Sequence, residues 1–189
     1  MTLKYRPTTE DVLRKLSFTV EPGHKVGVVG RTGAGKSTLC LALSRIVELT
    51  EGSIEIDGQD ISEVKLSILR SKMTVIPQDP TLFTGTLKFN LDPLELCDDE
   101  RIESLLIKAG CQDLLNREPE DEKDEGRGLY YKIKDAGGNL SSGEKQLVCI
   151  CRAILQKNKV VLLDEATANI DITSVYSPQT WVAIAFVTR

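Results

Sequence analysis

The chain is short of histidine, of long apolar runs and of surplus basic charge, and each shortage removes a class of function. Its one histidine is His24, next to the Pro22-Gly23 turn, where it reads as a surface turn residue. Cys149-x-Cys151 therefore has neither the CxxC spacing nor the histidine neighbours of a zinc site. The five cysteines are odd in number and scattered, unlike a disulfide framework, and read as small apolar side chains packed in a reducing cytosol. No apolar run approaches the roughly 18 residues that span a bilayer, and the N-terminus lacks a signal-peptide pattern. Any membrane role is thus expected to come through partner segments. A net charge of −4 argues against a surface that coats nucleic acid, and no nucleic-acid partner is expected.

What is present fits a soluble globular chain of 189 residues, long enough for one buried core carrying a small subdomain. Leu16–Val20 alternates weakly and reads as a strand, and Lys25–Val29 reads as a short buried strand. From Lys36 onward, Leu39, Ala42, Leu43 and Ile46 recur at helical spacing. Ser53–Ile56 followed by Asp57-Gly58 reads as a strand, a tight turn and a return. Met73–Ile76 is another short strand, broken by Pro77 and Pro80. Asp98-Asp99-Glu100 opens a helix whose face is Ile102, Leu105, Leu106 and Ala109, with Gly110 suited to its end. The acidic stretch Glu118–Gly128 reads as a solvated loop rather than a metal or partner site. A last helix and the apolar strand Val160–Leu163 follow. Alternating strands and helices predict an α/β fold with a largely parallel sheet, and a helical insert between Thr84 and about Gln146 is expected to one side of it.

Gly30-Arg31-Thr32-Gly33-Ala34-Gly35-Lys36-Ser37 fits G-x-x-x-x-G-K-[ST] in the required strand-to-helix context. Its glycines let backbone N–H groups turn inward onto phosphate oxygens, and the helix start adds a positive dipole end. Lys36 is placed to reach the β- and γ-phosphates, and the Ser37 hydroxyl to ligate Mg²⁺. Val160-Val161-Leu162-Leu163-Asp164-Glu165 ends an apolar strand in two carboxylates. Alone, that hexamer reads as a strand and a solvated acidic turn. Beside a phosphate loop, Asp164 is placed to hold Mg²⁺, directly or through water, and Glu165 to orient or deprotonate a water.

Leu140-Ser141-Ser142-Gly143-Glu144-Lys145-Gln146 has two readings. Ser141-x-x-Glu144 fits a capping box, which starts a helix near Ser142 with Leu147, Ile150, Cys151 and Ile154 on its buried face. The same start offers hydroxyls and unpaired N–H groups at a positive helix end, an anion seat. Lys36 and its loop already hold the domain's own phosphates, so this seat is free for a nucleotide on another copy or a homologous domain.

Taken together, these motifs resemble the nucleotide-binding domain of an ABC transporter, over most of such a domain. Gly30–Ser37 resembles its Walker A, Leu140–Gln146 its LSGGQ signature, and Val160–Glu165 its Walker B with catalytic glutamate. Gln78 resembles the Q-loop glutamine, Ala168-Asn169-Ile170-Asp171 the D-loop, and Tyr5 the aromatic residue that stacks on adenine. The resemblance implies a P-loop NTPase (RecA-like) core with an antiparallel β subdomain and an α-helical subdomain. Residues 1–83 and 157–171 would form the core, residues 84–156 the helical part, and residues 172–189 a divergent tail. It implies ATP bound by Tyr5, Gly30, Arg31, Thr32, Gly33, Ala34, Gly35, Lys36, Ser37, Thr38 and Gln78, with Mg²⁺ on Ser37, Gln78 and Asp164. Ser141, Ser142 and Gly143 would close over ATP on a second nucleotide-binding domain in a head-to-tail dimer. Glu165 would be catalytic, in a domain working with membrane-spanning partners at the cytoplasmic face of a membrane.

The run Pro77–Leu87 followed by Asn90-Leu91-Asp92-Pro93 is similar to the C subfamily, the multidrug-resistance-associated proteins. Gly30–Ser37 and Asp164-Glu165-Ala166-Thr167-Ala168 resemble the second domain of those pumps. An ATP-gated channel or regulatory module and a soluble ABC ATPase share these motifs, and a small-molecule phosphotransferase leaves Leu140–Gln146 unexplained. Two departures stand out. Ser142 and Glu144 replace a glycine and the glutamine of LSGGQ, the second adding negative charge. The family's switch histidine has no counterpart, because His24 precedes Walker A; ATP binding with poor hydrolysis is expected of this chain. Tyr176–Thr180 reads as a turn. Trp181–Val187 is strand-like, and either takes the place of a missing strand or is divergent sequence.

Overall fold

The computed structural model describes residues 1–6, 10–119, 126–164 and 182–188, the last as backbone. They form two compact units, one of residues 1–75 with 158–164 and 182–188, the other Ile76–Lys157.

The first unit is built on a four-stranded sheet in the order β1 (Lys25–Gly30), β8 (Val182–Thr188), β7 (Val160–Asp164), β4 (Met73–Ile76). β8 runs parallel to both β1 and β7, pairing Gly30 with Thr188 and Asp164 with Phe186. The strand-like segment at the C-terminus thus takes a central place in the sheet. This register brings the carboxyl ends of β1 and β7 to one edge, where ligands of parallel sheets bind. Helix α1 (Lys36–Leu43) follows β1 and buries Leu39, Ala42 and Leu43. These pack with Leu3, Leu13, Ile61, Leu69, Met73 and Leu162. The hairpin β2 (Glu55–Ile56) and β3 (Gln59–Asp60) turns at Asp57 and Gly58. Both turn residues have positive φ, 52° and 76°, which gives the chain the twist a tight hairpin needs.

In this first unit the structure departs from the expected elements at three places. Leu16–Val20 is not a strand: the antiparallel pairing nearby is reduced to the bridges Leu3–Leu13 and Thr2–Glu51. Leu16 spends its N–H on the Met1 carbonyl at 3.0 Å, so weak alternation without a partner strand forms no ladder. β1 is not a buried strand: one face is half-buried and the other exposed. Val26 and Val28 pack on the core, whereas Val29 is 58% exposed. Ile46 does not extend the α1 stripe, because the helix stops at Leu43 and Arg45 turns left-handed at φ 47°. Arg70, from α2 (Leu66–Ser71), supplies the stop, donating to the Ser44 and Arg45 carbonyls at 3.2 and 2.9 Å. It satisfies acceptors that another helical turn would have used.

The second unit is mostly helical, with α3 (Leu87–Leu91), α4 (Asp99–Lys108), α5 (Gln112–Leu115) and α6 (Ser142–Gln156). A short antiparallel pair, β5 (Gly85–Thr86) and β6 (Lys132–Ile133), joins them. Asp98 caps α4, its carboxylate accepting the Arg101 N–H at 2.8 Å, and Ile102, Leu105 and Leu106 turn inward. Gly110 then takes φ 75°, the left-handed exit its position calls for. Of the acidic stretch, residues 120–125 lie outside the described residues. Its ends carry an exposed ion pair, Glu118–Arg127, at 2.9 Å. The α6 stripe is wider than periodicity suggests. Val148, Cys149, Ala153 and Leu155 are buried along with Ile150 and Cys151, while Leu147 and Ile154 are only partly covered. Partners on more than one side of a helix broaden its buried face beyond one stripe.

Leu106 is fully buried among Leu87, Ile102, Leu114, Tyr131 and Val148. Leu106→Ala should therefore lower the stability of this unit by about 2–5 kcal/mol, measurable as a shift in the urea midpoint. A change below about 0.5 kcal/mol would contradict this packing.

Candidate functional site

The sequence Gly30–Ser37 folds as a strand, a turn and a helix start. β1 ends at Gly30 and α1 begins at Lys36. Gly33 and Gly35 take φ 81° and 88°, open to glycine and strained for other residues. At Gly35 a second requirement is added: a Cβ would stand 3.2 Å from both Leu13 Cδ2 and the Val12 carbonyl oxygen. The segment around Val12 and Leu13 therefore presses directly on the loop and fixes its curl.

Lys36 is 7% exposed, and its Nζ donates to the Gly30 and Arg31 carbonyls at 3.1 and 3.2 Å. The ammonium is thus folded into the loop it serves. One residue on, Ser37 Oγ donates to Asp164 Oδ1 at 3.1 Å. Two positions 127 residues apart in sequence are joined because β1 and β7 end at the same edge of the sheet. The Asp164 charge is also felt inside α1. Burial first, and that charge second, push the Cys40 thiol up to about 12, which keeps it neutral and inert. Tyr5 is half exposed, and its hydroxyl meets Thr38 Oγ1 at 2.8 Å, so the ring stands beside the first turn of α1.

One unit thus gathers Tyr5, Gly30, Arg31, Thr32, Gly33, Ala34, Gly35, Lys36, Ser37, Thr38 and Asp164. A hydroxyl in contact with a carboxylate is a hard-oxygen donor pair of the kind Mg²⁺ selects, and a basic loop beside it suits phosphate. Glu165 and the D-loop-like residues Ala168–Asp171 lie outside the described residues. Gln78 belongs to the second unit.

Ser141, Ser142 and Gly143 are also in that unit, exposed at the start of α6. The capping box forms in full: Ser141 Oγ accepts the Glu144 N–H at 3.3 Å, and Glu144 Oε2 accepts the Ser141 N–H at 2.7 Å. The Ser141 hydroxyl donates to the same Oε2 at 2.8 Å. Sequence reasoning missed Arg117, whose Nη2 donates to Glu144 Oε1 at 2.6 Å while Nη1 donates to the Asn139 carbonyl at 2.8 Å. Burial works against a charged Glu144, but the Ser141 N–H and hydroxyl, and then Arg117, overcome it and hold its carboxyl below the usual range. The only signal in the sequence is an unassigned arginine ahead of an acidic stretch.

A protein-family profile described as "ABC transporter" matches residues 13–168. Rat ATP-binding cassette sub-family C member 3 is 47% identical over 170 residues, which cover 90% of this chain and 11% of that protein. Yeast (Saccharomyces cerevisiae) bile pigment transporter 1 is 46% identical over 179 residues, 89% of this chain and 12% of that protein. Among solved structures, a bacterial Atm1-family ABC exporter with ATP bound superposes with a TM-score of 0.86 at 31% identity. That match covers 100% of this chain and 33% of the exporter chain. The chain thus spans about a tenth of the length of the rat and yeast relatives.

Proposed function

Since the chain belongs to the ABC transporter family, we propose that it is the ATP-binding and ATP-hydrolysing domain of a C-subfamily exporter. The observation that carries this reading is the Ser37–Asp164 contact at 3.1 Å beside the buried Lys36. It supports a site in which the loop N–H groups and Lys36 hold the β- and γ-phosphates and Tyr5 lies against the adenine. Ser37, Gln78 and Asp164 would hold Mg²⁺, which when bound neutralises charge shared by the two terminal phosphates. Glu165, adjacent to Asp164 in sequence, would take the proton of the attacking water.

The start of α6 has no role toward this chain's own nucleotide in that scheme. Its exposed Ser141, Ser142 and Gly143 would close over ATP on a second nucleotide-binding domain, in a head-to-tail pair. Residues 1–83 with 157–171 would act as the ATP core and residues 84–156 as the signature-bearing part. Pairing and release would drive membrane-spanning partners from the cytoplasmic face of a membrane. Among the described residues no helix is long and apolar enough to cross one itself.

Sedimentation velocity of the chain tests this. With Mg²⁺ and slowly hydrolysed ATPγS it should shift from monomer to dimer, and without nucleotide it should not. A chain that binds ATPγS yet stays monomeric at all concentrations would refute the paired-domain reading.

A further inference from the structure

The seat at the start of α6 contains a carboxylate. Glu144 Oε2 holds both the N–H and the hydroxyl of Ser141, at 2.7 and 2.8 Å. An ionised carboxylate there competes with a phosphate for the same positive helix end and repels it. A glutamine, as in the signature Leu140–Gln146 resembles, accepts the same N–H without the charge. Ser141–Gly143 can therefore serve as a phosphate seat only if the Glu144 charge is offset.

Arg117 is built to do that. Its guanidinium reaches Glu144 Oε1 at 2.6 Å from a segment 27 residues upstream, and both side chains are partly shielded, 30% and 22% exposed. It does not depend on Glu144 for its own placement. Nη1 is fixed on the Asn139 carbonyl, and the guanidinium lies 5.7 Å from the Tyr131 ring centroid. Asn139 is locked in turn, donating to the Tyr131 hydroxyl at 2.9 Å and the Lys132 carbonyl at 2.8 Å and accepting the Lys134 N–H at 2.9 Å. Tyr131 itself is buried. The positive charge is thus set in place by the fold, and the carboxylate is drawn to it.

We propose that Arg117 is a positioning residue of the signature half-site. It cancels the Glu144 charge and keeps that carboxylate in the capping box, so that the Ser141–Gly143 end of α6 accepts the terminal phosphate of a nucleotide carried by a second copy of the domain. This rests on the paired-domain reading above and adds to it the residue that makes an acidic signature workable. Arg117 touches neither nucleotide nor reacting atoms; it acts through Glu144.

The test is nucleotide-driven pairing of the full 189-residue chain, by sedimentation velocity in Mg²⁺ and ATPγS. Binding of a fluorescent ATP analogue to the chain's own loop is measured in parallel. Arg117→Gln should weaken pairing about tenfold, the scale of an uncompensated charge near a bound phosphate. Own-site binding should be unchanged. Arg117→Lys should recover part of the loss, because it restores charge without the two-pronged hold. The decisive variant is the double one: Arg117→Gln with Glu144→Gln should pair about as well as the parent. If the double variant stays as weak as Arg117→Gln alone, Arg117 is merely structural and the proposal falls. It falls also if Arg117→Gln pairs like the parent. Should Arg117→Gln fold poorly, Glu144→Gln alone decides: it should pair at least as tightly as the parent, and weaker pairing overturns the proposal. A parent chain that binds the analogue but never pairs removes the paired-domain reading first. A parent that pairs, with variants showing no rescue, removes only the role of Arg117.

Discussion

Lys36→Ala is expected to weaken Mg²⁺-ATP binding at least about 100-fold, the equivalent of one or two charge-assisted hydrogen bonds in a shielded site. The size follows from where the ammonium sits. Lys36 is 7% exposed at the start of α1, with its Nζ on the Gly30 and Arg31 carbonyls. A cation held this way is already desolvated and oriented, so little of its attraction for phosphate is lost to ordering. Lys36→Arg should not rescue binding, because a planar fork does not fit between two carbonyls spaced for a compact ammonium. Lys36→Ala should leave the fold in place, since Arg31 is exposed and Gly30 only half-buried, so that their freed carbonyls can take up water. Isothermal titration calorimetry with Mg²⁺-ATP gives the answer. An affinity within about threefold of the parent would show that the loop alone carries the phosphates and would remove Lys36 from the site.

The same residue shows why some of this protein is legible in its sequence and some is not. Gly30–Ser37 is local: its spacing, the glycines and the strand-to-helix context lie within a few residues, so the loop can be read directly. The starts of α4 and α6 are equally local, set by Asp98 and by Ser141 with Glu144. Signals fail where the deciding partner is remote. The weak alternation of Leu16–Val20 needed a strand to pair with, and Leu16 instead exchanges hydrogen bonds with Met1, its N–H donating to the Met1 carbonyl and its carbonyl accepting from the Met1 ammonium. The end of α1 is set by Arg70, more than twenty residues downstream. Glu144 reads from sequence as an added negative charge. Its compensation by Arg117 depends on Asn139 and Tyr131 folding around the guanidinium, which no periodicity reports. The contact of Ser37 with Asp164 lies between these cases. Both residues are conspicuous, but only the parallel register through β8 brings them to 3.1 Å.

Glu165→Gln is the other change of large expected effect, and it should separate binding from hydrolysis. Asp164 already accepts from Ser37 and carries the proposed metal. A carboxylate committed to a cation is a poor proton acceptor, which leaves the adjacent Glu165 for that task. Glutamine keeps the size and hydrogen-bonding capacity of the side chain but cannot take a proton. The rate of γ-phosphate release should therefore fall about 100- to 1,000-fold. ATP affinity should stay within about threefold, and the proposed nucleotide-driven dimer should persist longer, because on that reading hydrolysis is what takes it apart. The comparison belongs in a single-turnover assay with radiolabelled ATP, which reads the chemical step apart from product release. Asp164→Asn supplies the contrast: it should weaken binding in Mg²⁺ and leave much less difference in EDTA, where no metal is held. If Glu165→Gln hydrolyses ATP at the parental rate while Asp164→Asn does not, the roles are reversed. Asp164 would then be the proton acceptor, and the metal would rest on other ligands.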